Sequence, residues 1–218
     1  GYIMEYGNFS PPRYRGFKSM RDFLMNLSQN LSITQNVKVT HLKPHNEKIS
    51  VLNDRSNIWE TYDAVISTLP APQNLDLMKK FPILKKTLET ASYDACIALM
   101  FIFDEKPKNI PYFFEYYNQQ GMLSWMAAGS NLRFWTAQTK GDYSNKNINK
   151  DKILLKDEIF QEIEKAIYQL EPNIKINFHS LHIWKYAKVT KVCSGPQIDP
   201  KFPVVIAGDF MELSLIHI

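Results

Sequence analysis

Cysteines are scarce in this sequence, and long apolar runs are absent from it. The two cysteines, Cys96 and Cys193, stand far apart and form no CxxC motif, which is typical of thiols in a reducing compartment rather than of a disulfide scaffold. No run approaches the roughly 18 apolar residues of a membrane-spanning helix, and the first residues lack the pattern of a secretory signal. We therefore expect a cytoplasmic protein without a membrane partner.

Motifs for several common chemistries are also missing. The eight glycines form neither GxGxxG nor GxxxxGK[ST], so the chain carries no glycine-rich phosphate loop. No GxSxG motif supplies a hydrolase nucleophile. The pairs His41 with His45 and His179 with His182 have no HExxH context and no neighbouring cysteine, so we predict no metal site.

Positive charge is present but not concentrated. The formal net charge is +4, and no arginine-rich stripe forms the kind of surface that follows a phosphate backbone. The aromatic stretch 112–135 carries too few cations to stack nucleic-acid bases. We therefore expect no nucleic-acid partner and interpret this stretch as a buried sheet or the wall of a ligand cavity.

Apolar residues make up 44% of the whole chain, which is enough for a core in one large or two small domains. The first third of the chain has the pattern of the edge of an α/β domain. Helical spacing over 17–31 predicts an amphipathic helix. Alternating residues around the turn "KPHNEK" predict a hairpin. The segment "YDAVISTLP" predicts a strand that is buried on both faces and ends at a site.

The rest of the chain contains β-like runs and two helical segments. A short helix is predicted over 82–90, and "CIALMFIF", "YFFEYY", "MLSWMA" and "LRFWTA" predict an antiparallel sheet. A second helix is predicted over 151–170, after the polar segment "GDYSNKNINKDK", which we interpret as a solvated loop. The strands "INFHSLHIWKYA" and "PVVIAGD" follow.

Two of these strands end in a way that is typical of a ligand site. The segments "YDAVISTLPAPQ" and "PVVIAGD" place polar or backbone groups at the carboxyl end of a strand, where open α/β sheets bind ligands. Both could equally be core strands followed by turn residues. The pattern alone leaves the two interpretations open.

A family resemblance favours the ligand site. The segments "PRYRGFKSMRDFL", "VKVTHL", "YDAVISTLPAPQ", "YDACIALMFIFD", "LSWMA", "HIWKYA" and "VVIAGD" resemble, in this order, the later part of renalase-like, FAD-dependent oxidoreductases related to amine oxidases. The resemblance implies an α/β plus α+β fold, in which a partial Rossmann-like FAD-binding domain holds an inserted, mostly antiparallel sheet-and-helix substrate domain. It also implies that a dinucleotide-binding segment precedes residue 1.

The resemblance implies how these domains divide the chain. Residues 1–73 form the partial FAD-binding domain, 74–186 the substrate domain, and 187–212 the return to the FAD-binding domain. Residues 213–218, "LSLIHI", resemble the translation of a sequencing adapter and are expected to be non-native. Because the expected dinucleotide-binding segment is not part of this 218-residue chain, we expect that the chain alone does not hold FAD.

The resemblance also implies which residues contact the cofactor and the substrate. Val37 and Val39 match the segment beside the adenosine half of FAD, and Thr68, Pro70 and Ala71 match a loop close to the cofactor. Gly208 and Asp209 match the late GD motif, although Asp209 could instead be an ordinary turn residue. His182, Trp184 and Tyr186 match an aromatic segment near the flavin ring, and Tyr116, Trp125 and Trp135 are substrate-pocket candidates; all six could instead be ordinary strand or core residues. Ile183 stands where relatives commonly have arginine, and Lys185 replaces that arginine only in part.

The chemistry implied is hydride transfer to the flavin from a small molecule, either an amine or a dihydronicotinamide, with oxygen as the electron acceptor. The flavin carries this reaction, so no catalytic side chain is implied. Cys193 lies near the position at which some amine oxidases attach flavin covalently, whereas the renalase-like branch binds FAD without a bond. The alternative is a non-enzymatic α+β binding or scaffold module, which a flavin absorption spectrum would distinguish from the enzyme.

Overall fold

The chain forms two compact units. The computed structural model describes residues 3–5, 14–16, 20–55, 58–116, 120–129 and 131–211. Unit 1 is built from residues 1–31 and 94–188, and unit 2 from residues 32–93 and 189–217. The expected non-native segment 213–218 lies outside the described residues, so its origin stays a prediction.

Twelve strands and five helices are described. In chain order they are β1 (Ile3–Glu5), β2 (Tyr14–Gly16), α1 (Met20–Leu27), β3 (Val39–His45), β4 (Lys48–Asn53), β5 (Trp59–Tyr62), β6 (Val65–Ser67), α2 (Ala71–Leu77), α3 (Pro82–Leu88), β7 (Ser92–Phe103), β8 (Phe113–Glu115), β9 (Leu123–Ala128), β10 (Phe134–Thr139), α4 (Gly141–Asn147), α5 (Lys152–Tyr168), β11 (Ile176–Lys191) and β12 (Val204–Ile206). Short 3₁₀ turns cover Met78–Lys80 and Asp209–Met211.

Unit 1 contains the predicted antiparallel sheet. Its five strands lie in the order β11, β7, β10, β9, β8, and β10 pairs antiparallel with both β7 and β9. The segments "CIALMFIF", "YFFEYY", "MLSWMA" and "LRFWTA" each contribute to one of these strands. The sheet prediction is therefore confirmed.

Helix α5 covers one face of this sheet. The Asp151 side chain caps the helix by accepting hydrogen bonds from the backbone N–H groups of Ile153 and Leu154, at 2.9 and 3.1 Å, which satisfies donors that have no partner within the helix. Four fully buried residues on one face, Leu155, Ile159, Ile163 and Ile167, join the sheet residues Leu99 and Phe101 in a single core.

In the described part of the chain, no helix combines the length and the apolar character that crossing a membrane requires.

Unit 2 combines a small antiparallel sheet with a parallel strand pair. Strands β3, β4 and β5 form the antiparallel sheet, and the predicted hairpin is confirmed in β3 and β4. Asn46 has a φ of 54° in the hairpin turn, a left-handed conformation that asparagine tolerates well. Strands β6 and β12 pair in parallel, so the two segments that sequence analysis singled out are neighbours.

Helices α2 and α3 explain why the compact units divide the chain after Tyr93 rather than after residue 73. Leu77 from α2 and Leu84 from α3 are buried in the same core as Val204 and Ile206 of β12. These helices thus contribute to the core of unit 2. The assignment of functions to residues 1–73, 74–186 and 187–212 stays a prediction.

Three expectations differ from the structure. Ile66 of β6 is 66% exposed, so β6 is not buried on both faces; within the described residues its sheet has only two strands. The expected loop at 141–147 is helix α4, whose Ser144 is fully buried and hydrogen-bonds Thr139. Helix α1 covers Met20–Leu27 of the expected amphipathic helix, but its Leu24 and Leu27 are 61% and 64% exposed.

Candidate functional site

A groove of about 950 Å³ lies on unit 2. Its walls come from the beginning of β3, the carboxyl end of β6 and the helix α2. The lining residues are Val37, Lys38, Val39, Thr40, Leu42, Val51, Tyr62, Ala64, Val65, Ile66, Ser67, Thr68, Leu69, Gln73, Asp76 and Leu77. A mostly apolar concave surface of this volume with a few polar groups is typical of small-molecule and cofactor sites.

Buried polar contacts hold the wall of the groove after β6. The Ser67 hydroxyl donates a hydrogen bond to the Asn74 Oδ1 atom, and the Asn74 amide donates to the Leu69 carbonyl at 2.8 Å. Ser67 and Asn74 are 7% and 0% exposed, so both bonds are shielded from water and their loss would leave unsatisfied polar groups. Asn74 was not predicted from the sequence, where its signal is an amide within an otherwise apolar helical face.

Charged groups of both signs stand at the groove. Asp76 forms an ion pair with Lys79 at 3.0 Å, and this hydrogen bond and the charge of Lys79, with a smaller contribution from Lys38, lower the pKa of the Asp76 carboxyl. The groove therefore presents a carboxylate from α2 and the Lys38 side chain beside its apolar walls.

The seven predicted cofactor-binding residues fall into three groups in unit 2. Val37, Val39 and Thr68 line the groove. Pro70 precedes α2, and Ala71 is its fully buried first residue. Gly208 and Asp209 follow β12 after one residue, Ala207, so the residues expected from the end of each strand do lie near the carboxyl ends of two paired strands.

Tyr93 connects the group at the start of α2 with the group after β12. Its hydroxyl accepts a hydrogen bond from the Ala71 backbone N–H at 3.2 Å and donates one to the Asp209 Oδ1 atom at 3.0 Å. Burial, with a further contribution from the hydrogen bond to Asp209, raises the pKa of Tyr93 to about 12. Tyr93 was not predicted from the sequence, because no local pattern at the start of a strand identifies a side chain that links two distant loops.

Gly208 has a local packing role. A Cβ atom at this position would lie 2.6 Å from the Phe210 Cε1 atom, and Phe210 is fully buried in the core of unit 2. The absence of a side chain at Gly208 therefore lets the Phe210 ring pack against the backbone.

We predict that Gly208→Ala destabilises the protein by roughly 1–2 kcal/mol, because the buried ring cannot move away without disturbing its neighbours. Chemical denaturation followed by circular dichroism measures this change. In a Phe210→Leu background the same substitution should cost less, since the clashing ring is gone; an equal cost in both backgrounds would contradict this explanation.

The six predicted substrate-pocket residues lie on opposite faces of the sheet in unit 1. Leu181 and Ile183 of β11 pack against the core, so the alternating residues His182, Trp184 and Tyr186 point to the other face. The His182 and Trp184 rings lie 4.4 Å apart, and Trp184 is 55% exposed.

The strand register shows on which face of the sheet the other aromatic candidates lie. Trp125 is aligned with Gln138 of β10, which is the neighbour of the buried Ala137 and so points to the opposite face. Trp125 therefore lies on the same outer face as Trp184, and its ring stacks on Phe113. Trp135 is 2% exposed and lies in the core. Tyr116 packs against that core as well, and its burial raises the pKa of its hydroxyl.

Comparisons with known proteins show which solved structures have a similar fold. No protein-family model matches the sequence, and no curated protein matches it significantly. Among solved structures, the "putative protoporphyrinogen oxidase" from Exiguobacterium sp. 255-15 matches with a TM-score of 0.68 and 14% identity, over 92% of this chain and 49% of that chain. The CLA-producing fatty acid isomerase from P. acnes matches with a TM-score of 0.62 and 12% identity, over 88% of this chain and 47% of that chain. The chain thus shares their mixed α/β fold and spans about half of their length.

Proposed function

We propose that this chain is part of an FAD-dependent oxidoreductase and that the groove of unit 2 holds the adenosine half of FAD. The observation that carries the proposal is the groove itself, which lies at the carboxyl end of a strand in a parallel pair. Open α/β sheets bind nucleotide cofactors at such strand ends. The fold shared with two much longer proteins supports the proposal.

The side chains around the groove suit an adenosine. Val37 and Val39 offer apolar contact to an adenine ring, and the Thr68 hydroxyl can donate or accept a hydrogen bond. The Asp209 carboxylate, outside the groove lining, is an acceptor suited to ribityl hydroxyls. When bound, FAD would supply the hydride acceptor for the reaction.

The outer face of the sheet in unit 1 is the proposed substrate surface. His182, Trp184, Tyr186 and Trp125 give it an aromatic character, and Met100 and Phe134 are 42% and 51% exposed. The substrate we propose is a small amine or a dihydronicotinamide, as in renalase-like enzymes, with oxygen accepting the electrons. Flat aromatic side chains bind a planar ring or an organic cation favourably.

Val39→Phe tests whether FAD occupies the groove. The larger side chain would fill part of the space beside β3, so we expect FAD affinity of the full-length protein to fall about tenfold. Ile83→Phe is the matched control, since Val39 and Ile83 are 36% and 39% exposed and Ile83 lies on α3 outside the groove.

Isothermal titration with FAD and the flavin absorption of the purified protein measure the effect. Equal FAD affinity in the two variants would contradict the groove assignment. A full-length protein that is colourless as purified and does not bind added FAD would contradict the proposed function and favour a binding or scaffold module.

A further inference from the structure

We propose that Tyr93 is a positioning residue that orients the Asp209 carboxylate toward the cofactor by tying it to the start of α2. This inference rests on the proposed function, since it concerns the site in which Asp209 would contact FAD. In this role Tyr93 acts through Asp209 and does not itself contact the cofactor.

The hydrogen-bond directions fix the orientation of the Tyr93 hydroxyl. The Ala71 backbone N–H can only donate, so the hydroxyl oxygen accepts from it at 3.2 Å. The hydroxyl proton is then directed to the Asp209 Oδ1 atom at 3.0 Å. A hydroxyl with one donor and one acceptor partner at fixed positions has little freedom to turn.

Protonation of Tyr93 keeps this arrangement intact at neutral pH. Because burial and the Asp209 hydrogen bond raise its pKa to about 12, the hydroxyl remains a donor throughout the working range of an enzyme. The contact to an ionised acceptor belongs to the stronger class of hydrogen bonds.

The contact adds a side-chain link beyond the paired ends of β6 and β12, where the last backbone bond runs from the Ala207 N–H to the Ser67 carbonyl at 2.9 Å. Ala71 follows β6, and Asp209 follows β12. The Asp209 residue is exposed, so without Tyr93 its side chain would sample several rotamers. A carboxylate held in one rotamer before FAD arrives loses less conformational entropy on binding.

Tyr93→Phe tests the proposal, because it removes only the hydroxyl and keeps the ring. In the full-length protein we expect FAD affinity to fall about five- to tenfold, while the apoprotein remains folded by circular dichroism. Tyr168→Phe is the matched control, since Tyr168 also donates to a carboxylate, that of Glu164 at 3.0 Å in unit 1, and should leave FAD affinity unchanged.

A double-mutant cycle separates positioning from general structural support. If Tyr93 acts through Asp209, Tyr93→Phe should have no further effect on FAD affinity in an Asp209→Ala background. Additive losses, or wild-type FAD affinity in Tyr93→Phe, would overturn the positioning role even though FAD binding stands. Failure of the unmodified full-length protein to bind FAD would overturn this role together with the proposed function.

Discussion

Trp135→Ala is expected to destabilise the protein by about 3–5 kcal/mol. The indole ring lies among Phe101, Phe103 and Phe114, with ring centroids 5.9 to 6.3 Å from its own. Its Nε1 atom donates to the Leu132 carbonyl at 3.0 Å. Truncation would therefore open a large cavity, remove three aromatic ring contacts and leave this carbonyl without its donor.

Trp184→Ala is the matched control, because it removes the same side chain from the exposed outer face of the same sheet. We expect its free energy of unfolding to stay within about 0.5 kcal/mol of the original. Urea denaturation followed by circular dichroism measures both variants. Similar losses for the two tryptophans would contradict the assignment of core and outer faces.

The contrast between the two tryptophans shows which features of a sheet can be predicted from strand patterns. Alternation within "MLSWMA" and "LRFWTA" is enough to separate two faces of each strand, and the predicted strands and antiparallel sheet are confirmed. Alternation does not say which face a helix covers. Trp125 and Trp135 were therefore equivalent in the sequence, and only the packing of α5 on one face of the sheet distinguishes them.

Burial of β6 could not be derived from the strand itself. Its apolar run predicted burial on both faces, but burial depends on the number and position of neighbouring strands, which the local sequence does not encode. With β12 as its only described strand neighbour, the strand leaves Ile66 exposed. The exposed leucines of α1 follow the same rule, since an amphipathic pattern identifies an apolar face without identifying what covers it.

Polar residues with tertiary partners were the hardest to predict. Ser144 lies in a polar stretch that is typical of a loop, yet its hydroxyl is buried and hydrogen-bonds Thr139 and the Lys140 carbonyl. Asn74 and Tyr93 likewise depend on partners brought close by the fold. Val37, Val39 and Thr68, which the family resemblance assigned to the cofactor, line the groove, but their contact with a cofactor stays a prediction.

Asp209→Ala is expected to weaken FAD binding in the full-length protein far more than Asp63→Ala. The two acids flank the parallel strand pair differently: Asp209 follows β12, whereas Asp63 precedes β6. Loss of a charge-assisted hydrogen bond between the Asp209 carboxylate and a cofactor hydroxyl corresponds to about 1.5–3 kcal/mol, or roughly 10- to 150-fold in affinity.

Asp63 is a suitable control because its carboxylate already has a partner away from the strand ends. It pairs with the Lys48 ammonium at 2.7 Å, and this hydrogen bond lowers the pKa of the Asp63 carboxyl. Such an exposed ion pair contributes little to folding and, lying at the opposite end of β6, should contribute nothing to FAD affinity.

Flavin occupancy after exhaustive dialysis, read from the absorption spectrum, compares the two variants. Equal occupancy would mean that the Asp209 carboxylate does not contact FAD. A selective loss in Asp209→Ala, with an unchanged circular dichroism spectrum, would place the cofactor at the carboxyl end of β12.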